Sequence, residues 1–178
     1  MQLVCFRYLF GKGTKVSKYL VNHDKVYEAE IKLGKKTDTA DREGKVIEEK
    51  SVEKESLSEE NINRVLKQFI GKQEQIPPMY SAIKVNGKKL YEYARSGKSI
   101  NINPRKIEIY DLNLNYINKD ENMVGITASV SKGTYIRTLC EDIAKALNTV
   151  GYMNKLNRTK VRRVWNRRSY NLKWIRRE

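Results

Sequence analysis

The sequence is poor in the residues that several kinds of chemistry require: it has one histidine, two cysteines and three prolines in 178 residues. A Ser/His/Asp or Cys/His hydrolase would have to run every role through His23, so nucleophilic hydrolysis of that kind is not expected. Cys5 and Cys140 are far apart, form no C-x-x-C pair and have no metal-ligand spacing to His23, which leaves neither a zinc site nor a disulfide to expect. Long apolar runs are also missing. The apolar lead MQLVCFRYLF is too short to span a bilayer and lacks a basic region and a small-residue cleavage site, so no membrane role is expected and the cytoplasm is the default location. The shortage of proline and of long polar tracts, with 39% hydrophobic residues, excludes a disordered chain and fits one domain with an ordinary core.

Acidic residues are scarce relative to basic ones. Thirty-six Lys and Arg against 21 Asp and Glu give a formal charge of +15, and clustered cations gain free energy by releasing counterions from a polyanion, so nucleic acid is the first partner to consider. The charge is uneven: residues 162–178 hold +6 of it, leaving +9 for the rest.

The hydropathy pattern predicts an α+β domain built on a mainly antiparallel mixed sheet with flanking helices. KVYEAEIKL at 25–33 alternates as a strand, and the Asp- and Thr-rich KKTDTADREGKV that follows it suits an ordered, self-capped loop. Ser58 opens a helix that places Ile62, Val65, Leu66, Phe69 and Ile70 on one face and stops at Gly71. Pro77-Pro78 precedes YSAIKV, an Asn86-Gly87 turn and a short helical stretch, KKLYEYARSG. A hairpin is predicted over 105–130, and an amphipathic helix over about 134–147 with Ile136, Leu139, Cys140, Ile143 and Leu147 on its apolar side.

GKGTK at 11–15 does not satisfy G-x-x-x-x-G-K-[ST], so it reads as a basic turn and not a phosphate loop. More specific are four spaced motifs in order: Y27-x5-L33-G34-x2-T37-D38-T39-x-D41-x2-G44, then Q75-x-P77-P78-x-Y80-S81-A82-x-K84-x2-G87, then Y91-x2-A94-R95-x-G97, then K132-G133-T134-Y135-I136-R137. Together they resemble the TruB-type tRNA pseudouridine synthases over about residues 11–161.

The resemblance implies an isomerase that flips a uridine out of the T-loop of tRNA (position 55), cleaves its glycosidic bond, rotates the base and rejoins it through carbon, without cofactor or metal. Extrusion needs an aromatic face to replace lost stacking and a basic surface for the phosphates. By resemblance Tyr27 stacks on the flipped base and counts with Arg137 among the catalytic residues. Tyr135 contacts substrate, Leu156 lines the uracil pocket, and Arg137 pairs with the catalytic aspartate. Lys84 and Lys132 are candidates for phosphate contact. Read from the residues alone, Tyr27 is sheet packing, Leu156 is core, and the two lysines are solvated charges. Arg137 discriminates better, because it falls on the apolar side of its helix, where a guanidinium requires a carboxylate partner.

The family's aspartate loop, resembling G-[TA]-L-D-P-x-A-x-G, is absent from the sequence. Asp24, Asp38 and Asp41 belong to other segments, so the expectation is that none reaches the site, that Arg137 lacks its ion-pair partner and that the chain is inactive. MQLVCFR can be back-translated so that a frame two bases on reads Ala-Thr-Gly-Val-Leu-Pro-Val, as the family would place before GKGTK. RRVWNRR at 162–168 can be written so that one base on it reads Gly-Glu-Phe-Gly-Ile-Glu-Glu. The expected organisation is therefore an aberrant lead over 1–10, a partial catalytic domain over 11–161 incomplete at its amino end, and a basic tail over 162–178 without the family's C-terminal RNA-binding domain. Such a remnant is expected to be a monomer with reduced stability and exposed strand edges. The rival readings are a non-catalytic tRNA- or RNA-binding module and a small ribosome-associated protein, in which the four motifs would have no role.

Overall fold

The computed structural model describes residues 24–98 and 100–161. The expectations for the lead over 1–10, for GKGTK, for Cys5 and His23 and for the basic tail fall outside the described residues.

β1 (Lys25–Leu33) alternates as its sequence requires, burying Ala29, Ile31 and Leu33. It lies next to one edge of a five-stranded sheet of order β4-β7-β8-β1-β9, in which β4 spans Gly71–Gln75, β7 Arg105–Asn118, β8 Met123–Val130 and β9 Gly151–Val161. Every neighbouring pair in it is antiparallel. The hairpin expected over 105–130 is β7 and β8.

Two small ladders sit outside this sheet. β2 (Lys35–Thr37) pairs with β3 (Val46–Glu49) and frames the self-capped loop. β5 (Lys84–Val85) pairs with β6 (Lys88–Lys89) across Asn86 and Gly87. Both of those turn residues have positive φ, 51° and 80°, as a two-residue hairpin turn matched to strand twist demands.

Helix α1 (Glu59–Gln68) starts where Ser58 accepts a hydrogen bond from the Asn61 N–H, with Glu59 and Glu60 in its first turn. Ile62, Val65 and Leu66 are buried as expected, but Ile70 is not part of that face: it lies beyond the helix, 44% exposed. Gly71 turns the chain at φ +115° directly into β4, which carries Ile70 away from the core. Helix α2 (Leu90–Arg95) is short, and α3 (Ile136–Ala146) buries Ile136, Leu139, Cys140, Ile143 and Ala144.

α1 and α3 pack on one face of the sheet, where Ile31, Ile109, Leu112, Val124, Ile126, Ala128 and Val130 complete the core. Cys140 is fully buried there, and burial pushes its thiol well above the ordinary range, so it acts as a small apolar residue.

Bulges interrupt the period. On β9, Glu30 faces Lys155 while Ile31 faces Met153, so Asn154 is the extra residue; on β7, Leu114 faces Ile126 while Tyr116 faces Gly125, so Asn115 is extra. Among the described residues no helix is long and apolar enough to cross a membrane.

Candidate functional site

Thr37 to Lys45 fold into a loop held by their own side chains. Thr37 Oγ1 donates to the Asp41 carbonyl at 2.7 Å, and Asp38 Oδ1 accepts from the Lys45 N–H at 2.8 Å. Asp41 Oδ1 accepts from Thr39 Oγ1 at 2.7 Å and from the Glu43 N–H at 3.1 Å. Gly44 closes the loop so tightly that a Cβ there would stand 2.3 Å from Thr39 Oγ1 and 2.5 Å from Asp38 Oδ1. Two backbone bonds tie the loop to β9: the Met153 N–H donates to the Ala40 carbonyl, and the Arg42 N–H to that of Met153.

The second motif reaches the site from β4. Gln75 is buried, and its amide grips the backbone of Tyr135 twice: Oε1 accepts from the Tyr135 N–H at 2.8 Å, and Nε2 donates to the Tyr135 carbonyl at 3.1 Å. Tyr135 is the residue before α3 and offers no capping side chain of its own. Gln75 therefore acts as a one-residue strand partner that fixes where α3 begins.

Two residues on, Arg137 draws three segments together. Its Nη1 donates to Asp41 Oδ2 at 3.0 Å and to the Thr39 carbonyl at 3.3 Å, and its Nη2 donates to the Tyr80 carbonyl at 2.7 Å. The side chains of Arg137 and Asp41 are only 22% and 17% exposed. The ion pair is thus largely desolvated, and hydrogen bonds satisfy both ions, as such a pair requires.

This corrects two expectations. Asp41 does reach the site, and Arg137 does have a carboxylate partner. The reason is the loop's fold: Thr39 and Glu43 hold Asp41 Oδ1, which turns Oδ2 towards α3.

Beside Asp41 opens a cleft of about 280 Å³ lined by Arg42, Glu43, Met153, Asn154, Lys155 and Leu156. Asp41 and Leu156 are therefore brought to one cavity. Tyr27 is half-buried on β1, packed against the core and opposite Ala128 and Arg158 in the sheet register. Burial raises its phenol above the ordinary range, against the opposing charge and hydrogen bond of Arg158. Tyr135 is half-buried, with its backbone held by Gln75. Lys84 is exposed on β5 and Lys132 is exposed in the turn before α3, so the two lysines stand on different elements at the surface.

Sequence reasoning missed Asp41 and Gln75 as members of this site. Both stood inside recognised motifs, and the available signal was composition: a buried arginine demands an acid, and an amide buried next to a strand end demands backbone partners. A second polar centre on the sheet's other face was also missed. There the buried Glu30 carboxylate accepts from Tyr116 Oη and Asn154 Nδ2 and pairs with Lys155 Nζ at 3.2 Å. Burial opposes the charge of Glu30, but these three donors outweigh it and hold the carboxyl below its usual range. Among the described residues no group of three His, Cys, Asp or Glu side chains converges as a metal site would.

Comparison with known proteins shows the family. Residues 5–136 match the model of the TruB family pseudouridylate synthase (N terminal domain). The chain is 49% identical over 150 residues to a tRNA pseudouridine synthase B of Oceanobacillus iheyensis, covering 84% of this chain and 49% of that protein. It is 46% identical over 151 residues to one of Mesoplasma florum, covering 84% of this chain and 51% of that protein. The chain thus spans about half the length of these relatives. Among solved structures, a chain of a Cbf5-Nop10-Gar1 complex is similar with a TM-score of 0.57 and 27% identity, over 84% of this chain and 34% of that one. A chain of an H/ACA RNP bound to a substrate RNA containing 2'-deoxyuridine shares the fold at a TM-score of 0.53 and 23% identity, over 84% of this chain and 32% of that one.

Proposed function

Because the chain belongs to the TruB family of pseudouridylate synthases, we propose that its site is built to take a uridine extruded from the T-loop of tRNA, at position 55, for isomerisation to pseudouridine. The reaction is balanced within the substrate: the N1–C1′ bond breaks, a C5–C1′ bond forms, and the hydrogen lost from C5 is matched by one gained at N1. No external oxidant, metal or cofactor enters that balance. The observation that carries the reading is the Arg137 junction, which joins the TDTAD loop, the Tyr80 segment and α3 at one guanidinium beside the cleft that Leu156 lines.

In this reading Tyr27 gives the extruded base its stacking face, Leu156 packs on the uracil, and Tyr135 contacts the nucleotide. Lys84 and Lys132 meet phosphates, and the +9 outside residues 162–178 supplies the general attraction to RNA. The nucleophile is the step these 178 residues do not furnish. The G-[TA]-L-D-P loop is not among them, and Asp41 already accepts from Thr39, Glu43 and Arg137. Its role is to hold the guanidinium in place. Made alone, the chain binds tRNA in a salt-sensitive manner and does not turn it over, which is how the RNA-binding alternative is contained in this reading.

The test is to incubate the 178-residue chain with a T-arm transcript and map pseudouridine by carbodiimide treatment and primer extension. No product is expected, together with binding that weakens steeply as salt rises. Turnover would overturn the inactivity; its loss in Asp41→Asn would add a chemical role to Asp41 only if the variant keeps its fold and its tRNA binding, since that substitution also removes the charge that holds Arg137. In a version supplied with the aspartate loop, Arg137→Ala is expected to abolish turnover while tRNA affinity stays within about tenfold, roughly 1.4 kcal/mol.

A further inference from the structure

Glu30 stands in a row that crosses four strands. In the sheet register Tyr116 of β7 faces Gly125 of β8, Gly125 faces Glu30 of β1, and Glu30 faces Lys155 of β9. Gly125 has no side chain, and the Tyr116 ring lies over it so closely that any Cβ there would collide with the ring. Tyr116 Oη therefore reaches past β8 to donate to Glu30 Oε2. From the other side Asn154 Nδ2 donates to Glu30 Oε1, and Lys155 Nζ pairs with the same oxygen at 3.2 Å.

Both flanks of this row depend on a bulge. On β7, Leu114 packs against the core, and regular alternation would turn Tyr116 the same way; the extra residue Asn115 sends it to the opposite face. On β9, Met153 and Leu156 both lie on the core side because Asn154 is the extra residue. Without that bulge Lys155 would share the side of Met153, and Leu156 would turn to the side of Glu30. A slip of one residue would thus swing the apolar Leu156 away from the core side and put a cation in its place.

Strand pairing does not need a buried carboxylate. Glu30 is 8% exposed, and taking its charge out of water costs free energy that an apolar residue in its place would not; the best-attested use of such a group is to fix a register. The register fixed here is the one the cleft uses. Asn154 and Lys155, which Glu30 holds, line the cleft together with Leu156.

We propose that Glu30 is a positioning residue for the cleft: it holds the β9 bulge at Asn154 and so sets Leu156 as the apolar wall on which an extruded base packs. This rests on the reading of that cleft as the base site. Glu30 is not among the residues that line the cleft and acts through Asn154 and Lys155, while Tyr116 braces it from β7.

Nuclear magnetic resonance on the full chain tests the geometry, and T-arm binding tests its use. Glu30→Leu removes the acceptor and keeps the bulk. It is expected to shift the Met153 and Leu156 methyl signals and to speed amide exchange at Asn154, Lys155 and Leu156 by about tenfold or more, while Ile109 and Val130 keep their signals and protection. Should Glu30→Leu not fold, Asn154→Ala breaks the same bond from β9 and is expected to give the same shift. Glu30→Gln, which keeps an acceptor, is expected to restore the parent signals at Leu156. Two T-arm transcripts, one with uridine at position 55 and one abasic there, are then compared by fluorescence anisotropy. The parent is expected to favour the uridine arm by about tenfold, as one stacked base allows. Glu30→Leu is expected to bring that preference within about twofold of unity with the abasic affinity unchanged, and Glu30→Gln to recover it, whereas general loss of structure would weaken both arms alike. Leu156 signals that stay in place in both Glu30→Leu and Asn154→Ala, or that move without changing the preference for the uridine arm, would overturn the proposal. A parent that binds both arms equally would instead overturn the cleft as the base site and with it this use of Glu30, and the Leu156 signals would still decide whether Glu30 sets that wall.

Discussion

Two carboxylates, Asp41 and Glu30, are each held by three donors, and the difference between their surroundings separates site from scaffold. Glu30 sits on the sheet, gripped from β7 by Tyr116 and from β9 by Asn154 and Lys155, and all three donors stand on strands fixed by ladder hydrogen bonds. Asp41 sits in a loop and meets Arg137 from a helix 96 residues away, and that guanidinium also holds two main-chain carbonyls. The first centre locks elements that are already paired. The second joins a loop, the Tyr80 segment and a helix at one guanidinium, beside a cleft that Asn154 and Lys155 of the first centre also line. Ionic bonding alone does not mark a functional site; its placement among loops does.

The sharpest way to break this contrast is to remove the two acids in turn. Asp41→Ala leaves the largely buried Arg137 charge uncompensated, and we expect a loss of about 2–4 kcal/mol in urea unfolding. The double change Asp41→Leu/Arg137→Met is expected to recover most of it, since it removes the desolvation cost together with the bond. A double variant as unstable as the single one would show that the loop depends on Asp41 for more than this ion pair.

Glu30→Gln is expected to cost less, about 1 kcal/mol, because an acceptor remains and Lys155 is well exposed. It also has a spectroscopic signature. Burial, then the hydrogen bond and charge of Glu30, push the Tyr116 phenol up to about 12 from an ordinary 10.0. The folded chain keeps that proton longer than the unfolded one, so this contribution to stability is complete below pH 10 and is lost as pH rises towards 12. In Glu30→Gln the absorbance titration of Tyr116 should move down but stay above 10, since burial persists. An unmoved titration would dissociate the two groups.

The smallest effect is expected from Gly125→Ala. A Cβ there would stand 2.2 Å from the Tyr116 ring, but that ring is 45% exposed and can swing outward. The loss should be about 1 kcal/mol or less, read as a fall of the Tyr116 titration towards its ordinary value.

What could be read from the sequence divides along the same line. β1, α1, α3 and β8 keep their hydrophobic period, and β7 keeps its apolar residues ahead of a polar turn in spite of its bulges, so each was evident from the sequence. β4 was not, because GKQEQ has no apolar residue and owes its existence as a strand to pairing with β7. β9 was missed for a different reason: its bulge sets Met153 and Leu156 on the core side three residues apart, where a regular strand would separate them by an even number. The capped loop was legible because Thr39 and Glu43 lie within two residues of Asp41. Its meeting with Arg137 was not, since no local rule reports which of two oxygen atoms turns towards a distant helix.

Helix α3 borrows its first anchor from outside itself. Because Gln75 holds both backbone polar groups of Tyr135, the last residue of β4 and the first turn of the helix are coupled directly. A displacement of that strand end therefore reaches the backbone two residues before Arg137 through two hydrogen bonds.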